Sequence, residues 1–445
     1  MRLDTATLKR IHPLAFPAMA TGIVEPLISL TDTAMVGNIP VNAVESLAAA
    51  GIVSSFLGML TWVLGQTQSS ISSLVAQYVG KGKIEEIRTL PAQAIIISVG
   101  ASFILVALGL AFMEPVFRLL NATDSLIGFC ISYFKIRVWG VPLTLLTFSI
   151  FGTFRGLQNT LWPMAIALSG AVINAIADYF LVFGWGQWIP AMGLDGAGWA
   201  SLFTQVIMAL IAVVLLGAKT PIPLRWIGPP HPELKRLISM TLNLFVRSVA
   251  LNTTLIISVR QATGLGPAAV GAHTIALNLW LFAAFLIDGY GTSANILGGK
   301  LLGQENYKTL WVLTRKCVYY GWGVAALLML GGWIAYQPLG HLFSEDLPVL
   351  EAFWGVFWIV LIGMPINAVA FVLDALFKGL GEMKYLRNIL LIASFGGFVP
   401  FVLLSQYMDW GLSGIWIGFI VWMGIRAIAL WLKYKAKFLP LAQIS

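Results

Sequence analysis

The chain has 445 residues, 58% of them apolar and only 10% charged, with a formal net charge of +8 and a mean hydropathy of +0.86. Ordinary soluble domains carry about 25% charged residues, so this composition excludes a soluble globular protein and points to an integral membrane one. Apolar runs of about 20 residues recur along the chain, where an outer-membrane barrel would alternate over segments of about 10, so the spans are helical.

The first expected span, residues 11–36, follows a short basic head (Arg2, Lys9, Arg10). No small-residue cleavage site follows a short apolar region, so a removed signal peptide is not expected. Within this span Glu25, Pro26 and Asp32 interrupt the apolar run. An ionised Asp near the middle of a spanning helix costs roughly 2.5–3.5 kcal/mol on insertion scales, so Asp32 reads as a buried working acid. Pro26 has no N–H to donate and crowds the carbonyl of Gly22, which predicts a kink or loosened turn ahead of Asp32.

Further spans are expected at 46–68, 89–112, 128–153, 161–184, 194–216, 237–260, 269–293, 311–336, 352–376, 385–406 and 411–432, twelve in all. The proline-rich, basic stretch 217–236 (GAKTPIPLRWIGPPHPELKR) separates an N-terminal lobe (1–216) from a C-terminal lobe (237–445). With the amino terminus inside, all but six of the 27 Lys and Arg fall on inner ends; the exceptions are Arg118, Lys135, Arg137, Arg247, Arg260 and Arg426. The basic excess is therefore topology and not a nucleic-acid surface, and it predicts a multi-pass protein with both termini cytoplasmic; the expected location is the plasma (inner) membrane. Cys130 and Cys317 make no disulfide framework, and no metal-ligand spacing occurs.

The two halves repeat. At a constant offset of 223 residues, GVPLTLLTFSIFGTFRGL (140–157) lies over GMPINAVAFVLDALFKGL (363–380), Gly80 over Gly303 and Ala49 over Ala272. After a small deletion MGLDGAG (192–198) matches WGLSGIW (410–416). Six spans return the chain to its starting side, so the duplicated halves share one orientation. Parallel repeats of this kind build transporters whose substrate site is expected between the two halves. The expected fold is all-α, with twelve transmembrane helices in two pseudo-symmetric six-helix lobes.

Four acids besides Glu25 fall inside spans: Asp32, Asp178, Asp288 and Asp374. Asn174 and Asp178 stand four residues apart, one turn on one helical face. An Asn hydrogen-bonds a protonated or an ionised carboxyl, so the pair is suited to seat a proton or a cation. Asp288 is followed by Tyr290 and Asn295 in a run of small and polar residues, and with Asn367 and Asp374 these make a second candidate polar site. Lys378, one turn from Asp374, offers a purely structural pairing. Lys135, Arg137, Arg247 and Arg426 read as buried bases able to lock an aspartate across the bundle. Trp62, Trp139, Trp280, Trp354 and Trp422 are candidates to line a cavity for flat or cationic ligands. Trp185, Trp188, Trp410 and Trp431 read as an interfacial belt, and His273 as a hydrogen-bonded packing residue.

The ordered set PLISLTDTAMVGN, SSLVAQYVGKGK, FRGLQNT, NAIADYFLV and GLDGAGWAS resembles the multidrug and toxic compound extrusion (MATE) family over nearly the whole chain. The second half, with VRSVAL, LIDGYG and FVLDALFKG, is similar to its DinF branch. The resemblance implies a two-lobed antiporter that exports amphipathic or cationic organic molecules against inward H⁺ or Na⁺ by alternating access. It implies that Asp32, Asn174 and Asp178 form the coupling site, that Ser201 stands where relatives often have Thr, and that Pro26 is the hinge of the first helix. There is a departure from the NorM branch: 237–260 carries no acid, and Asn367 stands where that branch has Asp. Coupling through the N-terminal lobe is favoured accordingly.

The expected function is proton-coupled export, with Na⁺ coupling and a lipid or glycolipid flippase as the alternatives. The chain is not expected to be an enzyme, since no HExxH, GxSxG or phosphate-binding GxxxxGK[ST] occurs. No cofactor, metal or nucleic acid is expected; the partners are small organic substrates and membrane lipid, and the protein is expected to be a monomer.

Overall fold

In a bilayer every backbone amide must be paired within the protein, and a run of apolar residues does this as a helix. The computed structural model describes residues 3–120 and 122–444; Arg2 of the basic head and the side chain of Glu25 lie outside what is described. The chain runs through α1 (Thr5–Lys9), α2 (Ile11–Gly37), α3 (Ala43–Leu64), α4 (Thr67–Gly80), α5 (Ile84–Ile87) and α6 (Leu90–Leu119). Next come α7 (Asp124–Arg137), α8 (Gly140–Gly156), α9 (Leu161–Phe183), α10 (Gly193–Lys219), α11 (Leu234–Gly264) and α12 (Pro267–Gly303). It ends with α13 (Tyr307–Ile334), α14 (Tyr336–His341), α15 (Leu347–Gly379), α16 (Met383–Leu391), a π-helical segment (Ile392–Phe398), α17 (Val399–Tyr407) and α18 (Gly411–Ile444).

Among the described residues, 11 helical stretches are long and apolar enough to cross a membrane, and α7 with α8, bent by 44°, makes a twelfth. The bend falls at Val138 and Trp139, just ahead of Gly140 and Pro142. A proline in the first turn cannot donate back to the preceding turn, so the helix restarts in a new direction. Large apolar side chains such as Leu30, Ile104, Val214, Ile256, Leu327 and Ile428 stand exposed on these helices. Exposed apolar side chains on this scale suit lipid as the surrounding solvent. Several helices outrun the expected spans. The 37 residues of α12 rise about 55 Å against a hydrocarbon core of about 30 Å, because the small and polar tail after Tyr290 continues the helix beyond the apolar stretch.

The chain divides into two compact units. One comprises Met1–Met19, Ala76–Gly82 and Ser239–Ser445; the other comprises Ala20–Val75 and Lys83–Ile238. The division falls within α2, between Met19 and Ala20, and α2 is helical throughout, Pro26 included. In the second of these units Ile150, Phe151, Phe154, Ile166 and Leu216 make one apolar core and Val53, Phe117, Phe134 and Val182 another. The stretch between α10 and α11 is held there: Gln93, fully buried on α6, donates to the Pro229 carbonyl at 3.0 Å and accepts from the His231 amide at 2.8 Å. In the other unit α15 is the most buried helix and packs along α12.

The duplication is written into the packing of each unit. A Cβ on Gly156 of α8 would sit 3.0 Å from the Ser72 carbonyl oxygen, and one on Gly379 of α15 would sit 2.1 Å from the Asn295 carbonyl oxygen. These are the same crossing at an offset of 223. One turn away, Gly152 against Gln68 is matched by Ala375 against Gly291, with the glycine moved to the opposite helix. Backbone conformation repeats too: Gln158 (φ 62) corresponds to Gly381 (φ 79), and Gly193 (φ 56) to Gly411 (φ 53).

Candidate functional site

The polar centre of the second unit is assembled from four helices. Asp32 comes from α2, Arg137 from the last residue of α7, Asn174 and Asp178 from α9, and Ser201 from α10. Small residues let these helices approach. A Cβ on Gly196 of α10 would fall 2.3 Å from the Leu181 carbonyl oxygen of α9, and one on Gly170 of α9 would fall 2.3 Å from the sulfur of Met208. Such close crossings pull the polar side chains of neighbouring helices into one buried place.

Asn174 is the bridge. Its Nδ2 donates to Asp32 Oδ1 at 3.1 Å and to Asp178 Oδ2 at 2.8 Å, two bonds across helices and one turn. Ser201 Oγ donates to Asp32 Oδ2 at 3.3 Å, and Arg137 Nη1 stands 3.9 Å from the same oxygen. Asp178 is fully buried and Asp32 is 8% exposed. Asp178 Oδ1 and the Thr204 hydroxyl, one turn along from Ser201, are buried with no hydrogen-bond partner among the described residues. With both carboxylates ionised the centre carries two negative charges against the one positive charge of Arg137. One proton brings it to formal neutrality, and the bridging amide holds the carboxylates together in either state.

The sequence reading brought Asp32, Asn174, Asp178 and Ser201 together, and the structure places all four in hydrogen-bond contact. It did not attach Arg137 or Thr204 to them. In the sequence Arg137 reads only as a buried base; its end-of-helix position at the α7–α8 bend turns it to Asp32, with its guanidinium 5.7 Å from the centre of the Tyr133 ring. Lys135, expected to be buried, is exposed: two residues from Arg137 on a helix is nearly the opposite face.

The five residues expected to form a second polar site go to separate surroundings. Asp288 is exposed, because its neighbour Gly289 is the residue turned to Met19 and Ala15. The Tyr290 hydroxyl meets His12 Nδ1 at 3.0 Å, Asn295 donates to the Ala375 carbonyl at 3.1 Å, and Asn367 is buried on α15. Asp374 sits among cations: Arg247 at 2.5 Å, Arg426 at 3.2 Å and Lys378 at 3.3 Å. The structural pairing with Lys378 is therefore present, and two arginines join it. Of the tryptophans considered for a cavity, Trp280 and Trp422 are buried in aromatic packing against Phe419, and Trp422 donates to Ser394. Ser258 lies 3.1 Å from the ring of His273, the packing role expected of that histidine.

A duplicated helical protein with twelve spans and an ionisable centre buried among them has the architecture of a secondary membrane transporter. The MatE family model matches residues 17–180 and 244–403, and the chain belongs to that family of transporters; it is not an enzyme. Protein DETOXIFICATION 44, chloroplastic, of Arabidopsis thaliana is 27% identical over 94% of this chain and 80% of its own length. The DNA damage-inducible protein F of Escherichia coli is 22% identical over 97% of this chain and 92% of its own. The bent-form crystal structure of the Vibrio cholerae MATE transporter VcmN has the same fold, with a TM-score of 0.89 at 19% identity over 99% of this chain and 98% of that one.

Proposed function

We propose that this transporter exports amphipathic or cationic organic compounds in exchange for protons, one proton entering the Asp32–Asn174–Asp178 centre in each cycle. The observation that supports this reading is the bridging amide between two buried carboxylates beside a single arginine, a cluster whose charge passes from −1 to 0 with one proton. With the centre ionised, α2 holds the substrate-accepting arrangement. Protonation removes the net charge, α2 rearranges near Pro26, and substrate leaves. Each net elementary charge moved across 100 mV releases about 2.3 kcal/mol, so one proton exchanged for a neutral compound supports a concentration ratio of roughly fifty, whereas exchange for a monovalent cation is electroneutral and is driven by the pH gradient alone. Relatives that bear multidrug resistance names, among them MdtK of Edwardsiella ictaluri at 24% identity, favour organic compounds as cargo. The protein works as a monomer in the plasma (inner) membrane with both termini cytoplasmic, and needs no cofactor.

Proteoliposomes loaded with a fluorescent organic cation test this. A proton gradient drives transport, a sodium gradient of the same size does not, and Asp32→Asn abolishes the driven component while the protein stays in the membrane. Transport driven by sodium alone contradicts the proton reading, and lipid translocation without cation export selects the flippase alternative.

A further inference from the structure

The unit that holds α11, α15 and α18 contains a buried cluster of the opposite sign. Arg247 of α11 is 4% exposed and Arg426 of α18 is 2% exposed. The ion pairs that they and Lys378 make among the described residues all run to one carboxylate, Asp374. Asp374 Oδ1 accepts from both arginines and Oδ2 faces the lysine, so its oxygens are taken. Two positive charges remain in surplus. Donors remain as well: Arg247 Nε is buried with no hydrogen-bond partner, and Arg426 Nη1 meets only the thioether sulfur of Met423 at 3.0 Å, a weak acceptor. Buried charges without counter-charges are costly, so a surplus of this kind calls for an anion.

Packing alone does not require the cluster. In the register that aligns the two halves, Arg247, Asp374 and Arg426 correspond to Val24, Phe151 and Met208 of the first half. The corresponding positions of the first half thus carry apolar side chains. Around the second-half cluster the polar support is specific. The π-helical segment turns Ser394 to accept from Thr254 at 2.8 Å and from Trp422 at 3.0 Å, and the Trp422 ring lies 5.1 Å from the Arg426 guanidinium.

We propose that Arg247, Lys378 and Arg426 form a binding site for the carboxylate group of a small organic anion. The planar guanidinium fork matches the two oxygens of a carboxylate, and Lys378, the most exposed of the three at 19% of its side chain, adds a point charge at the edge. The site goes beyond the proton-coupled reading and uses none of its residues.

The purified full-length protein in detergent, with no gradient present, is titrated with sodium succinate and with sodium chloride at matched ionic strength while its thermal unfolding midpoint is followed. Succinate raises the midpoint saturably and chloride does not. Lys378→Gln weakens the succinate effect by about tenfold or more, as loss of a charge-assisted contact does, and Lys378→Arg retains it. A midpoint shift equal in the two salts, or one unchanged by Lys378→Gln, overturns the site. Counterflow of labelled succinate in proteoliposomes then separates sources: counterflow marks the carboxylate as cargo, and saturable binding without counterflow marks it as a resident counter-ion, either outcome supporting the site. Because the titration needs no proton gradient, failure of proton-driven export leaves its result readable.

Discussion

Replacing Asn174 by Leu keeps the shape of the side chain and removes both donors that join Asp32 to Asp178. The two bonds, at 3.1 and 2.8 Å, run to carboxylates, and such bonds contribute about 1.5–3 kcal/mol each. The losses are unequal. Asp32 keeps Ser201 at 3.3 Å and Arg137 at 3.9 Å, whereas Asp178 loses the bond that Asn174 donates to it and is left with its Oδ1 unpartnered and the carboxyl of Asp32 beside it. The penalty therefore falls on Asp178, and about 1.5–3 kcal/mol at a step in the cycle slows it by roughly ten- to a hundredfold. The assay is the initial rate of proton-driven organic cation export in proteoliposomes, with the unfolding midpoint measured on the same preparation. A folded Asn174→Leu protein that exports at the parental rate refutes the bridge as part of the engine.

Three further outcomes follow from single contacts. Asp374→Asn leaves Arg247 and Arg426 buried, with Lys378 beside them, without their counter-charge; breaking such a network costs about 3–5 kcal/mol, read as a lower unfolding midpoint in detergent, and an unchanged midpoint rules the network out as a structural element. Gly379→Ala drives a methyl group to within 2.1 Å of the Asn295 carbonyl oxygen; overpacking of this kind costs about 1–3 kcal/mol, and unaltered denaturant stability contradicts the close crossing of α12 and α15. Asp4 caps α1, accepting from the Thr7 amide at 2.9 Å and the Thr7 hydroxyl at 2.5 Å. Burial acts to raise its pKa, but the Thr7 bonds and the charge of Lys300 outweigh it and hold the carboxyl below 3.8. A depressed carboxyl stabilises above its free pKa and loses that contribution as pH falls through the folded value. Asp4→Asn keeps a capping oxygen and loses only the charge, so it destabilises by about 0.3–1 kcal/mol at neutral pH, and the gap from the parent closes in unfolding scans below pH 3.8; a gap that is constant with pH contradicts the charged cap.

The candidate proton site was legible because each member is a polar residue in an apolar helix, and because Asn174 and Asp178 share a face by spacing alone. Which helices bring Asp32 to Asn174 is a tertiary fact that the sequence supplied only through family resemblance. Arg137 shows the limit: its direction depends on the 44° bend that ends α7, and Lys135, similar in sequence context, points elsewhere. The fold was legible through the 223-residue offset, and the matching glycine crossings give that offset a physical basis. Helix lengths were not, since hydropathy marks where a helix meets lipid and is silent on how far it continues. The cationic surplus around Asp374 was hidden for the same reason as Arg137, because Arg247 and Arg426 lie 127 and 52 residues away from it in the chain.

The central claim is that cargo and one proton compete for the state of the Asp32–Asn174–Asp178 centre, and proton release on cargo binding measures this directly. Purified protein in lightly buffered detergent solution with a soluble pH-sensitive dye is taken to a pH at which its centre holds the proton and is mixed with a saturating organic cation. The parent releases about one proton per molecule as the centre returns from neutral to its ionised charge of −1, and Asp32→Asn releases none. Undiminished release from Asp32→Asn, or cargo binding by the parent with no proton released, contradicts the account.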